Sequence, residues 1–188
     1  MRAYRFHSFA LALCALLTGT VVLPSAPAWA EPVFGGQQPV TVAGLEFRLG
    51  PIVMMSANGN LSMQVAMTAT SREKTPISIF IEGHRSSIVT DTGIVFNYDI
   101  ANAAGVGVCS LDRQSCIQRA DEITVDVYPG VPDHMTFSVL SLSGVSHTAL
   151  AQTGTVNVSI VFCVRKPGNS VSFIPVTFEN VRIKNMIQ

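Results

Sequence analysis

The residues that could carry chemistry in this chain are few, and the cysteines stand out first. Cys109 and Cys116 flank the polar run Ser110-Leu111-Asp112-Arg113-Gln114-Ser115. Two thiols this close pair readily in an oxidising compartment. In a chain-entropy treatment the small closed loop is worth about 2.5 kcal/mol. The spacing therefore predicts a Cys109–Cys116 disulfide. The alternative is a redox-active pair, but such pairs favour Cys-x-x-Cys with the first thiol at a helix N-terminus. The spacing here is wider, and no helix is expected. Cys163 is left over. In an alternating strand it falls on the face opposite Phe162 and Val164, where a half-buried free thiol packed as a small hydrophobe is expected. A long-range bridge to Cys109 or Cys116 is the alternative.

Metal chemistry and catalysis find less support. Met54-Met55, Met63, Met67 and His134-Met135 offer soft ligands of the kind that suit Cu(I). No further Met or His follows His134-Met135 at the spacing of an exported copper carrier. A blue-copper site needs a His soon after its Cys, and Cys163 is followed by Val164-Arg165-Lys166. Met63 and Met67 share the apolar side of a strand and read as core. No metal or cofactor is expected. The chain has no Gly-x-Ser-x-Gly elbow, because Ser143-Gly144 lacks the first glycine. His84, His134 and His147 all sit in polar surroundings and are expected to be exposed. Asp121, Glu122 and Asp126 lie close in sequence, but a sugar-cleaving pair usually works beside aromatic platforms. Asp91 and Asp112 lie in turns that do not form a calcium loop. The expectation is a protein that is not an enzyme, with a hydrolase as the weakest alternative. Asn60-Leu61-Ser62 and Asn157-Val158-Ser159 match the glycosylation sequon, which matters only in a eukaryotic secretory pathway.

Composition and the N-terminus place these residues in context. The chain has 188 residues, 48% of them hydrophobic and 13% charged, with formal net charge zero. Disordered chains are charge-rich and apolar-poor, and a nucleic-acid partner needs a basic surplus; both are excluded. Arg2 and Arg5 precede an apolar stretch that runs from Phe9 to Leu23 and stops at Pro24. Ala28-Trp29-Ala30 then supplies the small residues that a signal peptidase requires. Residues 1–30 are expected to be a secretory signal peptide cleaved after Ala30, the stretch being too short to span a bilayer. The remaining chain loses Arg2 and Arg5, so ten basic residues face twelve acidic ones. It also loses its sole Trp. A secreted or periplasmic location follows, with no membrane span after cleavage.

The elements expected to position these residues are strands. Residues 31–39 carry Pro32, Gly35, Gly36 and Pro39 and read as a flexible lead-in; 40–188 reads as one domain. Beyond Val40 the hydrophobic period is two. Gly44 marks a bulge or bend, and Asn58-Gly59 is the strongest hairpin signal. Leu61, Met63, Val65, Met67 and Ala69 alternate with polar or small residues. Ile77–Ile81 forms a strand, with Glu82-Gly83-His84-Arg85 at its polar end. Asp91-Thr92-Gly93 turns into Ile94, Phe96 and Tyr98. Residues 99–120 read as irregular, with a helical turn near 100–104. Ile123, Val125 and Val127, then Met135–Val139, Val156–Val164 and Val171–Ile183 complete about eight to nine short strands. Turn signals about ten residues apart predict an all-β, antiparallel, immunoglobulin-like β-sandwich.

The order of the polar loop before Ile77–Ile81, the Asp91-Thr92-Gly93 hairpin and the Tyr128-Pro129-Gly130 turn resembles bacterial exported immunoglobulin-like sandwiches. These include the mycobacterial secreted immunogenic-protein family and related domains of unknown function. The resemblance spans 60–140 and implies an immunoglobulin-like fold and an envelope or secreted location; it carries no site residue. Sandwiches often bind through loops and sheet edges. The irregular segment 99–120 is therefore the expected surface for a protein partner, with a disulfide-pinned loop that binds nothing as its alternative. A pilin-like or adhesin subunit and a secreted-enzyme inhibitor compete with this reading, although the close Cys pair and the ending Asn185-Met186-Ile187-Gln188 fit a pilin poorly.

Overall fold

The computed structural model describes residues 37–57, 60–141, 148, 152–166, 168 and 170–183. The expected signal peptide, most of the lead-in, Asn58-Gly59 and His147 lie outside the described residues. Among the described residues the named elements, ten strands and two short helices, follow in the order β1 (Val40–Val42), β2 (Leu45–Ala57), β3 (Asn60–Ser71), β4 (Ile77–Thr90), β5 (Val95–Ala104), β6 (Gly107–Cys109), α1 (Arg113–Gln118), α2 (Ala120–Ile123), β7 (Val125–Val127), β8 (Asp133–Ser141), β9 (Thr155–Arg165) and β10 (Val171–Arg182). Hydrogen bonding runs β1-β2-β3-β8-β5-β4-β9-β10, with β6 and β7 also paired to β4. Every pairing in that path is antiparallel; β6 alone lies parallel to β4.

The strands fold into the two layers of a β-sandwich. Alternation does the work: residues of like parity point the same way, and their apolar members meet between the layers. Phe47, Met63, Val65, Met67, Met135 and Phe137 come from β2, β3 and β8. Ile79, Ile81, Ile160, Phe162 and Val164 oppose them from β4 and β9. Phe47 stacks on Phe162 across the gap, ring centroids 4.5 Å apart. Ala57 pairs with Asn60, so β2 and β3 are hairpin partners. Gly44, at φ 82°, turns β1 into β2 instead of bulging a single strand. The bulge of β2 lies further on, between Leu49 and Ile52, beside Pro51.

Strand β4 organises the rest. One of its edges is taken by β9, on both sides of a bulge between Glu82 and Ser87. The other is shared by three pieces in turn: β7 opposite Ile77–Ile79, β6 opposite Phe80–Glu82 and β5 opposite Ser87–Val89. The segment Glu82–Arg85 is therefore not a strand end. It is a mid-strand bulge, tied by the Ser86 hydroxyl, which donates to the Glu82 carbonyl and accepts from the Val161 amide.

The segment 99–120 also departs from expectation. Residues 100–104 continue β5 as strand, because pairing of Ala103 and Ala104 with Phe137 and Thr136 outweighs the weak local helical signal. Beyond a turn at Gly105, the chain forms β6, α1 and α2. Ile123 ends α2, and the following strand begins at Val125. Helix α1 starts at a true N-cap: Asp112 Oδ1 accepts from the amides of Gln114 (2.9 Å) and Ser115 (3.1 Å).

Candidate functional site: the disulfide cap and its cleft

Phe80 and Cys163 face each other across the β4–β9 pair, and Phe173 of β10 lies opposite Cys163. Their parity is opposite to that of Ile79, Ile81, Phe162 and Val164, so they point out of the sandwich. The outer face would be wet if nothing covered it. It is covered by β6, α1 and α2, the cap. Cys109, Cys116 and Ala120 of the cap bury themselves against Phe80 and Cys163, with Ile123, Val171 and Phe173 at the margin. The molecule thus has a second, smaller core outside the main one.

Cys109 and Cys116 are joined in a disulfide. It ties β6, which is paired to β4, to the middle of α1. Cys116 sits within a helix, and the sequence pattern had placed none there. A second tie is steric. A Cβ built on Gly107 would stand 1.1 Å from the Ile123 carbonyl oxygen, so the backbones of β6 and the end of α2 are in direct contact.

Cys163 is free and fully buried, not half-buried, because the cap closes over the outer face. Burial pushes its thiol up to about 12; the nearby Arg113 guanidinium pulls it down, and the Glu82 carboxylate pushes it further up. At neutral pH it is an inert, protonated thiol. Glu82 itself is 2% exposed. Its Oε2 accepts no hydrogen bond among the described residues and meets Arg85 Nε at 3.5 Å. Arg85 and Arg113 both lie over the Phe173 ring, at 6.0 and 5.0 Å from its centroid, so their guanidiniums are held on an aromatic surface.

A cleft of about 430 Å³ opens beside the cap. It is lined by Ala103, Val106, Val108, Cys109, Ser110, Leu111, Arg119 and Ile123. Leu111 is 42% exposed at its rim. A second cleft of about 360 Å³ lies behind α2, lined by Pro76, Ser78, Asp121, Thr124, Asp126, Arg165 and Lys166. Its charges answer one another: Arg165 pairs with Asp121, the Ser78 hydroxyl donates to Asp126, and Lys166 reaches Glu73.

The remaining candidate residues disperse. His84 is exposed at the β4 bulge, and His134 is exposed at the start of β8. Asp133, beside His134, has a carboxyl raised above its ordinary value by burial, against the pull of His134, and its Oδ2 accepts no hydrogen bond among the described residues. Neither residue lines either cleft. Met63 and Met67 are core, at 0% and 1% exposure. Asn157 of the second sequon accepts a hydrogen bond from the Asn180 amide, where β10 bulges. Among the described residues no three of His, Cys, Asp and Glu gather into a metal-holding group, and no helix is long and apolar enough to cross a membrane.

No family model matches the chain, and no curated protein matches it. Solved structures do. One is an uncharacterized β-sandwich protein from Clostridium difficile 630, with 8% identity and a TM-score of 0.38, covering 79% of this chain and 91% of that one. Another is the CooA pilin subunit of enterotoxigenic Escherichia coli, with 7% identity and a TM-score of 0.35, covering 71% and 94%.

All of the cleft lining except Ile123 falls within 99–120, the segment expected to carry the partner surface, although no residue of it beyond the cysteines was singled out. Ala103, Val106 and Val108 belong to the stretch read as irregular, Ala103 within its expected helical turn. Arg119 carried no pattern of its own. The signal that could have found the cap was Asp112 followed by Ser115, an N-cap with a first turn behind it.

Proposed function

We propose that this chain is an exported, non-catalytic β-sandwich protein that works by binding a protein partner through the face of the disulfide cap. The observation that carries the reading is the cleft beside the cap. Apolar and polar groups line it in nearly equal measure, with an exposed leucine and a single charged side chain among them, a mixed surface without paired titratable groups that suits recognition better than acid–base chemistry. Its position at 103–123 overlaps the segment that the sequence marks as irregular. Export is supported by the N-terminal signal pattern and by a disulfide, which persists in oxidising compartments. The resemblance to exported immunoglobulin-like sandwiches agrees with it. A pilin-like subunit remains the second reading, favoured by the unpaired outer edge of β2 beyond Phe47 among the described residues.

The test is site-specific photo-cross-linking in the cells that make the protein. A photoreactive side chain replaces Leu111 in one variant and Val95, exposed elsewhere on the sandwich, in another. A discrete adduct from position 111 and none from position 95 is expected. No adduct at 111, or the same adduct from both positions, refutes the cap as the binding face.

A further inference from the structure

We infer that the cleft takes an apolar side chain of its partner together with a carboxylate adjacent to it in the partner's sequence. This rests on the reading of the cap as a binding face.

Apolar side chains along the cleft come from Ala103, Val106, Val108 and Ile123, with the Cys109 end of the disulfide, and polar groups make up close to half of its surface. The apolar stretches gain from an apolar group and the polar ones from a charged or hydrogen-bonding group beside it. One wall bears a charge, Arg119. The residue lies at the junction of α1 and α2, its backbone N–H bonded to the Ile117 and Ser115 carbonyls, so the guanidinium starts from a fixed point. Its acidic neighbour is Glu122, at 3.3 Å and three residues on, with both side chains more than half exposed. Exposed pairs of this kind hold weakly, and a partner's carboxylate arriving in the partly dry cleft competes well for the planar fork of an arginine. Ser110 adds a hydroxyl at the same mouth.

The cleft is also built to stay open. Strand β6, which supplies Val108 and Cys109 to the lining, is tied to α1 by the disulfide and to the end of α2 by the Gly107–Ile123 backbone contact. A cleft held in shape in this way binds without the cost of forming first. Leu111 lines the cleft and is still 42% exposed, an apolar surface that a continuing polypeptide covers more fully than a small amphipathic acid does.

Fluorescence anisotropy with four labelled hexapeptides, of the form Gly-Ser-X-Z-Ser-Gly, tests this. X-Z is Leu-Glu, Leu-Gln, Leu-Lys or Ala-Glu. The purified protein is expected to bind Leu-Glu about tenfold more tightly than Leu-Gln, the size of one charge-assisted hydrogen bond. Ala-Glu should lose a similar factor. Arg119→Glu should reverse the order so that Leu-Lys is preferred, with an unchanged melting curve as the control for folding. Equal binding of Leu-Glu, Leu-Gln and Leu-Lys, indifferent to Arg119→Glu, overturns the carboxylate. Failure of every peptide to bind the wild-type protein overturns the inference as a whole. Either failure alongside a position-111 adduct in the cross-linking experiment leaves the binding face standing with a different ligand chemistry.

Discussion

Reduction of the Cys109–Cys116 bond should loosen the cap by a calculable amount. The two cysteines are seven positions apart, so the closed loop holds eight residues. Loop-closure entropy for that length gives about 2.5 kcal/mol at 25 °C. In a chain of this size that corresponds to a fall in melting temperature of about 5–10 °C. Reducing the wild-type protein isolates this contribution, because both sulfurs stay in place. Replacing them does not: Cys109 is 4% exposed and Cys116 0%, packed against Phe80 and Cys163. The double variant Cys109→Ala/Cys116→Ala therefore loses packing as well, and should melt below the reduced wild type. The assay is a circular-dichroism melt with and without a phosphine reductant, with the double variant as the reductant-insensitive control. Ellman's reagent supplies a second readout. Cys163, buried and with its thiol pushed to about 12, should stay unreactive in the oxidised folded protein and react once denaturant is added. A melt that moves by less than about 1 °C on reduction would show that packing alone holds the cap, and the entropic argument would fail.

Two other perturbations bear on the same architecture. Gly107→Ala places a methyl group 1.1 Å from the Ile123 carbonyl oxygen; backbone must move, and denaturant titration should show a loss of about 3 kcal/mol or more, at the upper end of overpacking costs, whereas wild-type stability would deny the contact. Asp91 Oδ2 accepts from the amides of Gly154 (3.1 Å) and Thr155 (3.0 Å), and these bonds, that from Thr155 foremost, hold its carboxyl below the ordinary value. A lowered folded-state value gives stability that is present above the unfolded value near pH 4 and is lost as pH falls through the folded one. Urea midpoints between pH 2 and 6 should therefore decline less steeply for Asp91→Asn than for the wild type; parallel curves would remove Asp91 from the acid limb.

The sandwich was readable because its signal is repetitive. Leu61 to Ala69 alternates without a break, and every odd-numbered residue in that run is buried. The same rule located Cys163 on the face away from Phe162, but parity cannot say what covers that face. The cap was illegible for a physical reason. Helix α1 is six residues long and α2 four, too short to show a 3.6-residue stripe, and helices of that length are held by tertiary packing. At 100–104 the Ala-rich run favoured a helical turn locally, and pairing with β8 overrode it. The Glu82–Arg85 segment read as the polar end of a strand because charged residues seldom sit in mid-strand. The bulge and the Glu82–Arg85 pair lie on β4, but the Val161 amide that ties the bulge comes from β9 and the Phe173 ring beneath Arg85 from β10, and no local reading brings those together.

The three short pieces along β4 have one more consequence. Gly107 stands opposite Phe80 and Val125 opposite Ile79, so the chain leaves for the cap and returns from it at neighbouring steps of the same strand. A segment whose ends already adjoin is a cassette. Its interior can change while the strands beneath keep their register, provided the replacement still covers Phe80 and Cys163. The sandwich then acts as a chassis, and a lineage that needed to meet a new partner would have only 107–125 to rewrite.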